Sequence, residues 1–408
     1  MFGLFQYITN ILQHSFFNLL FVMVVLWSVG ILLERLKFPL IIGELTAGII
    51  LGPAVLNLVT PSPVFDVLAQ LGMFFLMFYA GLESNPRDLK KTAIISMNIG
   101  FWGTLFPFLM GVGVVFFFGG NIYQALLIGT AISGTSLVTK TRILTDLDIL
   151  KTKMGIIMMG AGIVDNVFSF ILLSVIIKSF ANGGFRFSSV LLTVVEVGIF
   201  FIVTIFVGLI LFPKLGPFLS HRRGKGFTFA LIMGLLFALF AESIKLPFIL
   251  GAYFAGLFVR EEIMSKELFQ KMDDRFLAIS HGFLGPIFIM TVAFKVTFDV
   301  FVTHGWFVLG IFLAALIGKI VGVLIGGTLS RLPLKESFCM GVGMNGRGAV
   351  ELVLAIIGIE LGIITNMHLS ILVFVAFATT FMTPLSLGYC LKRFKLSSSE
   401  GIFNLHKQ

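Results

Sequence analysis

Residues 38–53 read FPLIIGELTAGIILGP, and residues 246–259 repeat the pattern as LPFILGAYFAGLFV. When Gly43 is aligned with Gly251, a proline precedes both glycines and an Ala-Gly pair follows both of them at equal spacing. Both copies consist mainly of apolar and small residues, which is the composition of helices that pack closely inside a membrane. The chain therefore contains a duplicated helical unit.

The rest of the chain has a similar composition. Of its 408 residues, 58% are hydrophobic and only 12% are charged, which is too little polar surface to cover a soluble particle. Apolar runs of about 18 to 27 residues recur from end to end, each long enough to cross a hydrocarbon core of roughly 30 Å. We predict an all-α polytopic membrane protein with about thirteen transmembrane helices. The predicted spans are 16–34, 38–58, 64–83, 93–118, 122–146, 153–180, 188–213, 227–243, 246–261, 276–297, 301–328, 336–361 and 367–391.

The net charge of +9 comes largely from basic residues that this pattern assigns to alternate loops. Because Lys and Arg accumulate in cytoplasmic loops, we predict an external N-terminus, a cytoplasmic C-terminus and an odd number of spans. The charge therefore needs no nucleic-acid partner, and we expect none. The basic residues assigned to the cytoplasmic side are Arg35, Lys37, Arg87, Lys90, Lys91, Lys140, Arg142, Lys151, Lys153, Lys214, Arg222, Arg223, Lys225, Arg260, Lys266, Lys271, Arg275, Arg331, Lys335, Lys392, Arg393, Lys395 and Lys407.

In this topology the two copies of the repeated stretch enter the membrane from opposite sides. Inverted repeats of this kind are a signature of secondary transporters. We predict a membrane domain over residues 1–393, with five-helix repeats at about 38–180 and 246–391. Linker helices occupy about 188–243, and residues 394–408 form a short cytoplasmic tail.

Two spans carry glycines and polar residues where a lipid-facing helix would be aliphatic. Residues 129–141 read GTAISGTSLVTKT, and residues 341–353 read GVGMNGRGAVELV. Transporters with inverted repeats contain interrupted helices, whose free backbone ends line an ion site near the midplane. Close helix packing is the alternative explanation of the small residues, but their matching places in both repeats favour interruption. The predicted crossover residues are Ser133, Thr135, Ser136 and Asn345.

Ionisable residues inside spans are costly to bury and are therefore candidates for function. Asp165, Lys319 and Arg347 each lie about 18 Å from the cytoplasmic face if their helices are continuous. An acid and a base at one depth can pair, and burial disfavours the charged form of both groups. A cation that reaches Asp165 would compete with a proton or with Lys319, which is the chemistry of exchange. A static salt bridge between the two residues is the alternative.

The remaining ionisable and sulfur-containing residues are not predicted to bind the transported ion. Arg347 and Glu351 are four residues apart, so we predict a supporting charge pair along one face of the interrupted helix. Cys339 and Cys390 have neither the number nor the spacing of a disulfide framework or a metal site, and we assign them no role. The chain offers no nucleophile or phosphate loop, so we expect no enzyme, no cofactor and no transition metal.

With these residues the chain resembles the bacterial monovalent cation:proton antiporter-2 family, which includes NapA-type sodium/proton antiporters and the transporter domain of Kef potassium efflux systems. The resemblance covers about residues 16–393. It rests on FPLIIGELTAGIILGP, FYAGLESNPRDL, TSLVTKTRIL, GAGIVDNV, ALIGKIVGV and GRGAVELVLA. It implies the sodium/proton antiporter fold, with two crossing interrupted helices that move like an elevator against a dimerisation domain. It also implies a homodimer in the inner membrane of a bacterium.

The same resemblance implies roles for individual residues. Asp165 matches the first of two consecutive acids in NapA-like members, and Lys319 matches the lysine that bonds it. Thr135 and Ser136 match the polar pair at the first crossover. Asn166 stands where those members carry the second acid. Asparagine offers a carbonyl oxygen to Na⁺ or K⁺ but carries no proton, which suggests one proton per cation.

Two other functions stay open. One is a potassium efflux carrier or channel gated by a separate subunit, against which the lack of a regulatory segment after the last span counts. The other is a transporter-derived membrane sensor that has lost coupling, which the neutral Asn166 keeps open. We expect exchange of Na⁺ or K⁺ for protons as the primary function.

Overall fold

The structure, a computed structural model, describes residues 15–35, 39–83, 86–181, 184, 187–220, 225–244, 246–258 and 266–396. Every regular element in these ranges is a helix, as the apolar runs predict. The first helices are α1 (Ser15–Arg35), α2 (Leu40–Leu51), α3 (Pro63–Glu83), α4 (Pro86–Phe117), α5 (Ile122–Ser133), α6 (Leu137–Asp146), α7 (Lys153–Ala181) and α8 (Phe187–Ser220). The others are α9 (Lys225–Ser243), α10 (Phe248–Phe258), α11 (Lys266–Ile279), a π-helical segment (Ser280–Leu284), α12 (Gly285–Phe294), α13 (Asp299–Thr303), α14 (Gly305–Leu329), α15 (Leu334–Gly343), α16 (Ala349–Glu360) and α17 (Asn366–Phe394).

Eight segments of the described chain are long and apolar enough to cross a bilayer. They include two segments built from more than one helix, Ile122–Asp146 and Phe269–Phe294. Each predicted span contains a helix or a pair of helices, although some helices are shorter than the span. The all-α polytopic fold class is confirmed, and the number thirteen stays a prediction.

The helix in the span predicted at 38–58 is shorter than expected, because α2 ends at Leu51. The backbone N–H groups of Leu58 and Val59 both donate to the Leu51 carbonyl oxygen, at 2.9 and 3.0 Å, so the chain folds back on the helix end. Asn57 has a positive φ of 50°, a conformation that asparagine tolerates better than most residues. That asparagine in an apolar run was the available sequence signal for the turn.

The repeated glycines pack against partners that are exchanged between the two copies. α2 packs on α12, where a Cβ atom on Gly48 would lie 2.9 Å from Met290 Cα. α10 packs on α3, where a Cβ atom on Gly256 would lie 2.9 Å from the Leu82 backbone nitrogen. Any side chain would prevent this close approach, which explains the glycines. The reciprocal packing is what duplication of a two-helix unit predicts, and the exact repeat boundaries stay predictions.

A row of glycines on α14 allows α4 to approach closely. A Cβ atom would lie 2.6 Å from Pro107 Cα if placed on Gly318, and 2.8 Å from Ile99 Cα if placed on Gly326. α4 also packs along α7, so it lies between α7 and α14. This arrangement brings Lys319, which follows the first of these glycines, next to the middle of α7.

The two cysteines form a disulfide, and the prediction of no role for them is wrong. Cys339 on α15 and Cys390 on α17 are bonded, with their Cα atoms 5.8 Å apart, and both side chains are buried. They are separated by 51 residues in sequence. Their pairing depends on the packing of α15 against α17, which cysteine spacing does not reveal.

One basic residue assigned to a loop is instead buried. Lys140 lies on α6 with 1% of its surface exposed, because α6 continues the interrupted span into the protein interior. Lys178, which the loop pattern left unexplained, forms an ion pair with Glu196 that joins α7 to α8. Lys37, Arg222, Arg223, Arg260, Lys407 and most of the predicted tail at 394–408 lie outside the described residues.

We expect Gly322→Ala to destabilise the fold, because its Cβ atom would lie 2.9 Å from Gly103 Cα on α4. Overpacking of this kind costs about 1–3 kcal/mol. The melting temperature of the detergent-solubilised protein should fall relative to Gly113→Ala, a matched change on α4 where nothing lies within 4 Å. Equal melting temperatures for the two variants would contradict the close α4–α14 packing.

Candidate ion-binding site

Two helices are interrupted near the centre of the protein. α5 ends at Ser133 and α6 begins at Leu137, with Gly134 and Ser136 in extended conformation between them. α15 ends at Gly343 and α16 begins after Gly348. Both interruptions fall within the glycine-rich stretches that predicted them.

The two interruptions are in direct contact. The Ser136 backbone N–H donates to the Gly346 carbonyl oxygen at 3.1 Å. The Thr139 hydroxyl donates to the Arg347 carbonyl oxygen at 3.4 Å. A Cβ atom on Gly348 would lie 2.7 Å from Ser136 Cβ, so a side chain there would push the segments apart. The two interruptions therefore cross each other in direct contact.

Hydroxyl groups satisfy part of the backbone that interruption leaves free. Ser136 Oγ accepts a hydrogen bond from the Thr139 N–H at 3.2 Å and caps α6. Thr380 Oγ1 accepts from the Arg347 N–H at 2.8 Å and donates to the Arg347 carbonyl oxygen at 2.9 Å. Without such partners, each buried backbone group would destabilise the crossing.

Asp165 lies beside this crossing, fully buried in the middle of α7. Its Oδ1 accepts a hydrogen bond from Thr104 Oγ1 at 2.9 Å. Its Oδ2 accepts from Thr135 Oγ1 and from Lys319 Nζ, both at 2.8 Å. The carboxylate thus receives donors from α4, from the first interruption and from α14.

Lys319 uses all three of its ammonium protons in this arrangement. Besides Asp165, its Nζ donates to the Ser133 carbonyl oxygen at 2.7 Å and to the Gly103 carbonyl oxygen at 3.0 Å. The Ser133 carbonyl belongs to the C-terminal end of α5, where the helix dipole attracts positive charge. The Ser133 hydroxyl points away from the crossing and donates to the Thr130 carbonyl oxygen.

Several buried polar atoms near the crossing have no hydrogen-bond partner within the described chain. They are Oδ1 and Nδ2 of Asn166, Ser169 Oγ, Asn345 Oδ1 and Arg347 Nε. Ser169 lies beside the first interruption, because a Cβ atom on Gly134 would lie 3.7 Å from its hydroxyl. Unsatisfied buried polar atoms are rare and indicate a place for water or an ion. Sequence reasoning missed Ser169, although its position four residues after Asp165 puts it on the same helix face.

Arg347 joins the two interruptions. Its Nη1 lies 3.7 Å from Glu351 Oε2 and donates to the Gly134 carbonyl oxygen at 3.3 Å. Its Nη2 donates to the Ala315 carbonyl oxygen of α14 at 3.3 Å. Glu351 occupies the first turn of α16, where the helix dipole favours an acid. The predicted contact between Arg347 and Glu351 is present, and its supporting role stays a prediction.

Lys140 is a further charged residue at the site that sequence reasoning missed. Its Nζ donates to Thr135 Oγ1 at 3.3 Å and to the Met158 carbonyl oxygen at 3.0 Å. The predicted span 122–146 already contained this lysine, so its place inside a span was the signal that the loop assignment overlooked.

Two cavities lie along the helices that form the crossing, and one of them reaches the crossing itself. One of about 90 Å³ is lined by Ser136 and Thr139 together with Glu44 and His281. In the predicted topology it lies on the cytoplasmic side. Another of about 310 Å³, on the external side in the same predicted topology, lies between α3, α12 and α16 and contains Asp66, Lys295 and Glu360 in its wall.

A pair of interrupted helices that cross beside a buried acid–base pair defines a secondary transporter of the inverted-repeat class. Residues 19–393 match the family described as "Sodium/hydrogen exchanger, transmembrane", and the chain belongs to this family. The resemblance inferred from the sequence motifs is thereby confirmed. Its members are transporters, not enzymes.

Individual relatives agree with this assignment. The chain is 30% identical over 368 residues to a Na⁺/H⁺ antiporter of Enterococcus hirae, covering 88% of this chain and 94% of that protein. It is 28% identical over 376 residues to the Na⁺/H⁺-K⁺ antiporter GerN of Bacillus cereus, covering 92% and 95%. The fold resembles that of the sodium proton antiporter MjNhaP1 from Methanocaldococcus jannaschii, with a TM-score of 0.68 at 18% identity over 96% of this chain and 98% of that one.

We expect Thr135→Val to impair the site, because it removes a hydroxyl that donates to the Asp165 carboxylate while nearly preserving shape. A hydrogen bond to a charged group contributes about 1.5–3 kcal/mol, so cation-driven proton movement in liposomes should fall about 10- to 100-fold at subsaturating cation. Thr141→Val is the matched control, since that hydroxyl donates only to the Leu137 carbonyl and the Met159 sulfur. The same activity in both variants would argue against Thr135 as a partner of Asp165.

Proposed function

We propose that this protein exchanges Na⁺ or K⁺ for protons across the cytoplasmic membrane of a bacterium. The observation that carries the proposal is the buried Asp165 carboxylate, which pairs with Lys319 at 2.8 Å beside the crossing of two interrupted helices. Membership in the sodium/hydrogen exchanger family and the antiport activities for which the relatives are named support it. A role in pH homeostasis would follow from this exchange.

The transported cation would bind to oxygen atoms of Asp165 and Asn166. Alkali cations require oxygen ligands, and the Asn166 carbonyl is an oxygen with no partner within the described chain. Asn166 adjoins Asp165 on α7 and is fully buried. A side-chain amide without hydrogen-bond partners next to a carboxylate can bind a cation that has lost part of its hydration shell. In this proposal the Asn166 amide replaces part of the cation's hydration shell.

Exchange follows from competition at the single carboxylate. A cation that binds Asp165 displaces a proton or the Lys319 ammonium from it, and a displaced Lys319 releases its own proton because its charge has lost the carboxylate that stabilised it. One proton therefore leaves for each cation that binds, and the reverse occurs on the other side of the membrane. Because Asn166 carries no proton, we propose an electroneutral one-for-one exchange.

Access to the two sides would alternate by an elevator-like movement. The body that carries the site comprises α4–α7 and α14–α17, whose helices meet around the Asp165–Lys319 pair. The cavities on the two sides lie between this body and α2, α3 and α12. Such gaps along one contact surface suit sliding of the body past a static dimerisation domain. We propose a homodimer, an external N-terminus and a cytoplasmic C-terminus.

The decisive experiment uses purified protein in liposomes with an internal pH dye. We expect Na⁺ or K⁺ to drive proton movement in the wild type, and Asp165→Asn to abolish it, because an amide binds neither the proton nor Lys319 as an ion pair. If neither cation moves protons in the wild type, the exchange function is wrong, and the subunit-gated channel or sensor functions become the next to test.

The stoichiometry has its own test in the same liposomes. When valinomycin and a K⁺ gradient impose a voltage, Na⁺-driven exchange by the wild type should not respond. Asn166→Asp restores a second titratable acid, so its exchange should become voltage-dependent. Wild-type exchange that accelerates or slows with voltage would contradict the one-for-one exchange while leaving exchange itself intact.

A further inference from the structure

Lys140 differs from the other buried basic residues of the described chain. Lys178, Lys319 and Arg347 each form an ion pair with a carboxylate. Lys140 is 1% exposed, yet its two hydrogen bonds go to neutral oxygens, the Thr135 hydroxyl and the Met158 carbonyl. A buried ammonium without an ion-pair partner is costly, so its presence at this position requires an explanation.

Lys140 acts on Asp165 through a shared hydroxyl. Thr135 Oγ1 accepts a hydrogen bond from Lys140 Nζ and donates its own proton to Asp165 Oδ2. The two bond lengths, 3.3 and 2.8 Å, put the Lys140 ammonium within about 6 Å of the carboxylate. Lys140 holds this hydroxyl with its proton directed at the Asp165 carboxylate. The Lys140 charge is therefore electrostatically coupled to Asp165 through the Thr135 hydroxyl.

The protein interior is shaped to hold this side chain. Gly162 precedes Asp165 by nearly one turn of α7, and a Cβ atom there would overlap Lys140 Nζ. It would also lie 2.8 Å from Leu137 Cδ2 on the first turn of α6. The glycine therefore opens the space between α6 and α7 that the lysine fills.

The charge balance at the site is uneven. Arg347 is offset by Glu351, whereas the single carboxylate of Asp165 faces both Lys319 and Lys140. A unit charge at about 6 Å changes an equilibrium constant about 100-fold at an effective dielectric constant of 20. The field of Lys140 is therefore strong enough to weaken the binding of any cation at Asp165.

We propose that Lys140 is a positioning residue that sets the cation affinity and pH range of the exchange site, because its fixed positive charge, linked to Asp165 through the Thr135 hydroxyl, opposes the binding of a cation there. This inference rests on the proposed exchange function. The ammonium repels arriving cations and protons alike, so the site binds its cargo weakly, releases it readily, and stays free of protons to lower pH.

The other titratable groups near Lys140 do not change this reasoning. α6 packs against α3, α7 and the second interruption, where Arg347 is paired with Glu351. The titratable side chains of the two helices are Asp66, Tyr79 and Glu83 on α3, and Lys153, Asp165 and Lys178 on α7. Of these, Asp165 is the one with an appreciable electrostatic effect on Lys140, and Lys319 of α14 opposes it.

The test compares Lys140→Met with Lys140→Arg in liposomes over a series of pH values. Removing the charge should lower the Na⁺ or K⁺ concentration for half-maximal exchange by about 10- to 100-fold near neutral pH. It should also move the acid limit of activity to higher pH, because protons too are held more strongly. Lys140→Arg keeps the charge and should retain the wild-type pH limit. Lys151→Met, which removes an exposed basic group just after the same helix, is the matched control and should behave like wild type.

A second readout separates this inference from the exchange function itself. Cation-dependent thermal stabilisation reports binding without transport, and its midpoint should shift in Lys140→Met as the exchange midpoint does. Lys140→Gln, which retains hydrogen bonding, serves if the methionine variant does not fold. Wild-type midpoints and pH limits in the neutral variants, with only the melting temperature or maximal rate reduced, would show that Lys140 merely ties α6 to α7. Absence of exchange in the wild type with intact cation binding overturns the exchange function alone.

Discussion

The contact between Asp165 and Lys319 is the interaction on which the rest of the structure depends. Two opposite charges are fully buried in an apolar interior, which costs several kcal/mol per ion unless every lone pair and proton is matched. Four elements supply what is needed: α4 through Thr104 and the Gly103 carbonyl, the first interruption through Thr135 and Ser133, and α7 and α14 through the pair itself. The buried ion pair is therefore satisfied because these four elements meet around it.

Close packing makes that matching possible. The Gly103 carbonyl reaches Lys319 because glycines on α14 let the α4 backbone approach, and the crossing closes because Gly348 has no side chain to keep Ser136 away. These glycines allow the backbones to approach closely, and that approach brings the hydrogen-bonding groups to the buried charges. The small residues of the chain are thus as necessary for the site as the ionisable ones.

Much of this could be predicted from the sequence, because a charge or a cluster of glycines inside an apolar run stands out against its background. Asp165, Lys319, the two interruptions and the repeated stretches all gave such signals. Lys140 and Ser169 also gave signals, but their meaning depends on which helices become neighbours, and the Cys339–Cys390 bond gave none. The early end of α2 was missed because hydropathy measures apolar length and is blind to a backbone reversal at Asn57.

The two members of the central ion pair are 154 residues apart in the chain. The ribosome therefore delivers Asp165 to the membrane long before Lys319 has been made. Until α14 arrives, Asp165 lacks its ion-pair partner. The first half of the protein offers it the Thr104 and Thr135 hydroxyls as hydrogen-bond donors, and the Lys140 ammonium only indirectly, through Thr135. Biogenesis of this protein thus includes a waiting period, in which the insertion machinery has to tolerate a half-built bundle whose buried acid has not yet met its ion-pair partner.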